Sequence, residues 1–266
     1  MTIFQRFRVT KLVRGIAALS ALHGAATAFC QGVFPFHQRP PAGLNAGDRY
    51  RIVFVTDSVR TAISDDITDY NRFAHSEAQE NPILAGLNLE WRVIGTTYQI
   101  NAKDNTGTNP VDNGAGVPIY LVDGSTRVAD GNADMWDGAL QAGINLTQQG
   151  RLPPGFQGSQ WVSLGNEGEP LVWTGTNPGG ENDLRLGIEP DPFFAVTYGS
   201  GEYADSRWIE RHGTPAAELE LPIYSLSSEM VAVPEPAGLL GFGFGILAMG
   251  AMVRRRCGGT GCDPER

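Results

Sequence analysis

The sequence predicts an α+β fold: a mostly antiparallel sheet of short strands with one or two helices. Three observations carry this expectation. Runs rich in β-branched and aromatic residues alternate with Gly, Pro, Asn and Asp turns. Helical periodicity is confined to the first half of the chain. Strand signals crowd the second half.

Tyr50 to Thr56 reads as the first strand. Ser64 is the expected N-cap of a helix, with Asp65 and Asp66 in a first turn where carboxylates offset the helix dipole. Ile67, Tyr70, Phe73 or Ala74, and Ala78 recur on one face of it. A second strand is expected over 91–98, and a Gly/Asn/Asp loop over 104–116. A third strand over 118–122 closes on the turn Asp123-Gly124. A short helix over 134–141 should bury Met135, Trp136 and Leu140. Past a Gly/Pro break at 150–158, strands are expected over 160–164, 171–174, 193–198 and 220–226. With no internal repeat, the chain reads as one domain over 49–228 behind a Pro-rich linker at 29–48. Trp173 and Trp208 should be buried near the same sheet.

Charge and cysteine content narrow the setting. Between residues 29 and 253 there are 27 acids and 12 bases, a net charge of −15, and Lys103 is the only lysine. So acidic a region repels nucleic acid and suits solubility outside a cell. It holds one cysteine, Cys30, so stability must come from packing rather than an internal disulfide. Trp91, Trp136, Trp161, Trp173 and Trp208 supply aromatic bulk for that core, and sugar-stacking platforms are their less common use.

The two ends read as targeting signals. Arg6, Arg8, Lys11 and Arg14 precede an uncharged run from Ile16 to Ala28, and Ala26 and Ala28 stand at −3 and −1 of a signal peptidase site. Residues 1–28 are therefore expected to be removed. Bulky Phe29 before Cys30 argues against lipidation. At the other end, Val233-Pro234-Glu235-Pro236 precedes an uncharged run from Ala237 to Val253, then Arg254-Arg255-Arg256. As a helix, 237–253 spans roughly 25 Å, the short end of what crosses a bilayer. The arginines mark its cytoplasmic side, which leaves the domain outside. This order resembles the PEP-CTERM sorting signal of exopolysaccharide-producing Gram-negative bacteria. The resemblance covers 233–256 and implies an exosortase as partner. A cytoplasmic tail at 257–266, carrying Cys257 and Cys262, extends past the usual end of such signals.

A second resemblance lies inside the domain. Val172-Trp173-Thr174-Gly175-Thr176-Asn177-Pro178-Gly179-Gly180, then Ser206-Arg207-Trp208, then Leu221 to Leu226, are similar to the C-terminal half of C-type-lectin-like domains. The endostatin-like branch is nearest in the Trp-x-Gly stretch. The disulfide cysteines of such domains are absent here. The family implies a C-type-lectin-like fold and, through Glu189-Pro190-Asp191, a calcium and sugar site. There a cis proline would aim both flanking carboxylates at one metal. Asp205 is the candidate third ligand. Without the family, Glu-Pro-Asp-Pro is simply a turn. Asp130-x-Asn132-x-Asp134 also begins like a calcium loop, but Met135 and Gln141 replace its glycine and final glutamate.

Catalytic signals are missing. His37, His75 and His212 are scattered, and neither a Gly-x-Ser-x-Gly elbow nor a phosphate loop occurs. The carboxylates are too numerous for sequence to single out a glycosidase pair. The expectation is a non-enzymatic protein, exported through an inner-membrane precursor to the cell surface or matrix of a Gram-negative bacterium. Its ectodomain would bind an extracellular polysaccharide or a surface protein. A calcium-dependent lectin and an unrecognised extracellular hydrolase stand as alternatives.

Overall fold

Arg49–Val55 form β1, the strand on which the rest is assembled. The computed structural model describes residues 40–153, 169–187 and 195–233. Every residue from Ile52 to Val55 is apolar and fully buried, as expected for a central strand covered on both faces. Tyr50, Ile52 and Phe54 enter one core, with Ala78, Leu84 and Trp91. Val53 and Val55 enter another, with Trp136, Trp208 and Tyr224. The period-two alternation of a strand thus builds two cores from one segment.

The main sheet runs β2 (Trp91–Val93), β8 (Tyr224–Ser227), β1, β3 (Ile119–Leu121), β4 (Arg127–Ala129), and β9 (Met230–Val231) pairs the start of β1. Only β1–β3 is parallel, with Arg51 opposite Ile119. Pairing with β8, with β9, between β2 and β8, and between β3 and β4 is antiparallel. A second, three-stranded antiparallel sheet runs β5 (Leu171–Trp173), β6 (Val196–Ser200), β7 (His212–Thr214). The fold is α+β with short strands and few helices.

The main helix, α1 (Ile67–Gln79), buries Tyr70, Ala74, Glu77 and Ala78 at helical spacing. Its cap is Asp66, whose carboxylate accepts the Thr68 amide at 2.8 Å. The expected cap, Ser64, instead donates its hydroxyl to Asp69 Oδ2 at 2.7 Å, one turn further in. A second helix, α2 (Pro82–Gly86), was not foreseen. Asn81 caps it by accepting the Ile83 amide, with Pro82 in the first turn where its missing N–H costs nothing. Two single-turn helices follow, α3 (Ala102–Asn105) and α4 (Asn132–Met135). Helix α4 lies earlier than the 134–141 expected, yet Met135, Trp136 and Leu140 are buried as anticipated.

Other boundaries moved as well. Strand β2 stops at Val93 instead of reaching Tyr98. Thr96 has already crossed to the second sheet: its amide donates to the Thr174 carbonyl, and its own carbonyl accepts the Leu186 amide. The described part of the Pro-rich stretch is docked rather than free. The Ala42 amide bonds to Gly124, the Gly47 amide bonds to Ala232, and Pro41 is buried. Among the described residues no helix is long and apolar enough to cross a membrane. Several expected features lie outside the described residues: the signal peptide with Ala26 and Ala28, the strand over 160–164, Pro234 to Pro236, the span 237–253, Arg254 to Arg256, and the tail.

Candidate binding groove

The start of β1 places a charged residue where the sheet runs out of apolar cover. Arg51 follows buried Tyr50 and precedes buried Ile52, and its side chain is only 12 % exposed. Its Nη1 donates to the carbonyls of Thr106 at 2.8 Å and Ser227 at 3.2 Å, and Nη2 donates to Gly107 at 3.3 Å. Three carbonyls thus hold the guanidinium in one pose. Glu229, just before β9, lies 3.9 Å away and also pairs with Arg49 at 3.1 Å. Burial pulls the Arg51 pKa below its ordinary value; Glu229 raises it and neighbouring Arg92 lowers it further.

Arg92 reaches the same place from β2. Its Nη1 donates to the Asn105 carbonyl at 2.9 Å, and its Nη2 pairs with Glu90 at 3.3 Å. Together with Thr106, Gly107, Asn113 and Ser227 to Glu229, the two arginines line a cavity of about 320 Å³. A second, shallower hollow of about 490 Å³ lies beyond, over Thr68, Asn71, Arg72 and His75 of α1 and Trp91 of β2. Glu90 and Arg92 line both hollows, so the two lie side by side and together make up an arginine-lined groove. Its floor is ordered by an amide relay: Asn71 Oδ1 accepts the Val93 amide and the Asn105 side chain, and Asn105 Nδ2 also reaches the Val93 carbonyl. The lining carries Arg51, Arg72 and Arg92 against Glu90 and Glu229, an excess of positive charge in an acidic chain.

Among the described residues that line the groove, no catalytic constellation is brought together. A nucleophile with an adjacent base, or two carboxylates facing each other across it, would be needed for acyl or glycosyl transfer. Instead each of its glutamates pairs with an arginine. It can hold a ligand that offers oxygen acceptors to guanidinium forks and hydroxyls to Asn and Ser side chains.

The candidate calcium ligands are not brought together within the described residues. Glu189, Pro190 and Asp191 lie outside them. Asp205 caps a 3-10 turn over Ser206–Trp208 by accepting the Arg207 amide, and its two oxygens take Arg207 Nε at 2.8 Å and Nη2 at 2.6 Å. That pairing holds its carboxyl below the usual range. Arg207 in turn stacks on Tyr203 at 3.7 Å, and the Tyr203 hydroxyl donates to Glu169 at 2.8 Å. In the calcium-like stretch, Asp130 accepts from Arg127, Asn132 donates to the Gly114 carbonyl, and Asp134 accepts the Asp130 amide and the Gln141 side chain. No group of three or more His, Cys, Asp or Glu able to hold a metal occurs among the described residues.

The described tryptophans are core residues, as the sequence leads one to expect. Trp91, Trp136, Trp173 and Trp208 are all core residues, and Trp161 lies outside the described residues. Among the described residues the large aromatic ring most open to solvent is Tyr98, 77 % exposed, with the Arg185 guanidinium 4.9 Å from its centroid. No motif marked Arg51, Arg92 or Tyr98 in the sequence. The one available signal was an arginine set inside a strand that is otherwise hydrophobic from Tyr50 to Val55. Compared with known proteins, the chain matches no family model and no curated sequence.

Proposed function

We propose that the chain is an exported cell-surface or matrix protein, sorted by an exosortase, whose ectodomain is a non-catalytic, C-type-lectin-like binding module for an extracellular polymer or protein. The observation that carries the binding part is the arginine-lined groove, a concave polar site without a nucleophile-and-base pair. The lectin-like reading is favoured by the antiparallel pairing of the first strand with the last two, which brings the two ends of the described domain together in one sheet.

The test is shaving of intact cells with protease. The ectodomain should be lost from whole cells while a cytoplasmic marker is spared. Protection of the ectodomain until the envelope is broken would end the surface assignment.

A further inference from the structure

We infer that the groove between Arg51 and His75 binds an acidic polysaccharide whose carboxylates pair with the guanidinium group of Arg92, with the buried charge of Arg51 behind it; this rests on the polymer-binding reading above. The argument begins with charge. An acidic protein should repel a polyanion, but at physiological salt a charge is screened beyond roughly 8–10 Å. Local balance therefore decides, and the groove lining carries three guanidiniums against two carboxylates. Lys103, the only lysine in the mature region, is already paired with Glu181 at 2.6 Å.

Donor supply is the second part. A guanidinium has five N–H groups in a planar fork. Arg92 uses one on the Asn105 carbonyl and one on Glu90, and its side chain is 48 % exposed. Donors therefore remain for an incoming carboxylate, and the carbonyl bond holds the fork in place beforehand. Arg51, fixed by three carbonyls, adds a buried positive charge behind it.

Size is the third part. Each hollow falls within the range that holds an organic ligand rather than a bare ion, and they adjoin at Glu90 and Arg92, the side chains they share. Two adjacent hollows suit neighbouring sugars of one chain, whose hydroxyls would meet Thr68, Asn71, Asn113 and Ser228. Glu90 acts as a competitor: 76 % exposed, it holds the guanidinium that a ligand carboxylate would take.

The experiment titrates the purified full chain in detergent with polygalacturonate fragments and with dextran, in wild type, Arg92→Gln and Glu90→Gln. Binding of polygalacturonate but not dextran is expected. Arg92→Gln should weaken it about tenfold or more, the loss of a hydrogen-bonded charge pair, without lowering the thermal midpoint appreciably. Glu90→Gln should strengthen it about three- to fivefold, the scale of an exposed charge interaction. A misfolded variant could not produce that gain. Equal binding of both polymers with no change in Glu90→Gln would overturn the inference and leave the polymer-binding reading standing. Failure of the wild type to bind polygalacturonate while binding another polymer would do the same. Failure to bind any polymer or surface protein would remove both.

Discussion

Trp173 and Trp208 lie on opposite faces of the same three-stranded sheet. Trp173 belongs to β5 and points into a core with Tyr70, Leu186, Tyr198 and Leu221. Its neighbour Val172 points the other way, into the core that holds Trp208, Trp136 and Tyr224. Both tryptophans are fully buried. The small sheet is therefore a partition between two cores, and Trp208 bridges it to the main sheet through Tyr224, whose hydroxyl donates to the Trp208 carbonyl at 2.9 Å.

Close approach of Trp208 to β6 makes Gly199 the most size-restricted residue of that partition. A Cβ there would sit 2.0 Å from the Trp208 carbonyl oxygen, a backbone atom that cannot swing aside. Gly199→Ala should cost about 3 kcal/mol or more, at the top of the overpacking range. Gly86→Ala, with open space around it, should change stability by less than about 1 kcal/mol. Urea denaturation followed by tryptophan fluorescence compares the two. Equal stability of the two variants would contradict the packing described.

A buried carboxylate ties α1 to the end of β1. Glu77 Oε2 accepts the Ser58 amide at 3.1 Å and Gln148 Nε2 at 2.8 Å, while Gln148 Oε1 accepts the Asp57 amide at 3.0 Å. Glu77→Ala would strand two donors and should cost about 2–4 kcal/mol. Glu77→Gln keeps an acceptor and should cost less. The order of the two midpoints in denaturant is the check.

How much of this was legible in the sequence depended on how local its cause was. Strand β1 and the buried face of α1 follow from residue type and period alone. The shift of the cap from Ser64 to Asp66 turned on one side-chain bond, Ser64 to Asp69. Strand β2 ended early because the Thr96 backbone pairs with Thr174 and Leu186, neighbours from far along the chain. Strands β4, β7 and β9 are two or three residues long, and their partners rather than their composition make them strands. The groove was hidden for a similar reason. Arg51, Arg92 and Glu229 come from three distant segments that only the pairing of β1, β2 and β8 brings together.

Calcium offers a sharp test of Asp205. Its oxygens are taken by Arg207, so millimolar calcium should leave the thermal midpoint of the wild type unchanged. A site saturated a hundredfold above its dissociation constant would add about 2.7 kcal/mol of stability. A calcium-dependent rise that Asp205→Asn abolishes would show that the metal displaces Arg207.

Processing should depend on the acid of the sorting motif. Glu235→Ala is expected to leave the full-length chain in the inner membrane, seen as a larger band in the membrane fraction. Normal processing and surface delivery of that variant would remove the exosortase from the account.

The central claim, a binding module without catalysis, is met most directly by an array of extracellular glycans probed with the purified full chain. The account predicts retention on one or more polymers, undiminished by a calcium chelator, with the retained glycans chemically intact afterwards. Loss of every retained signal with chelator, or release of shortened glycans from the array, would contradict it.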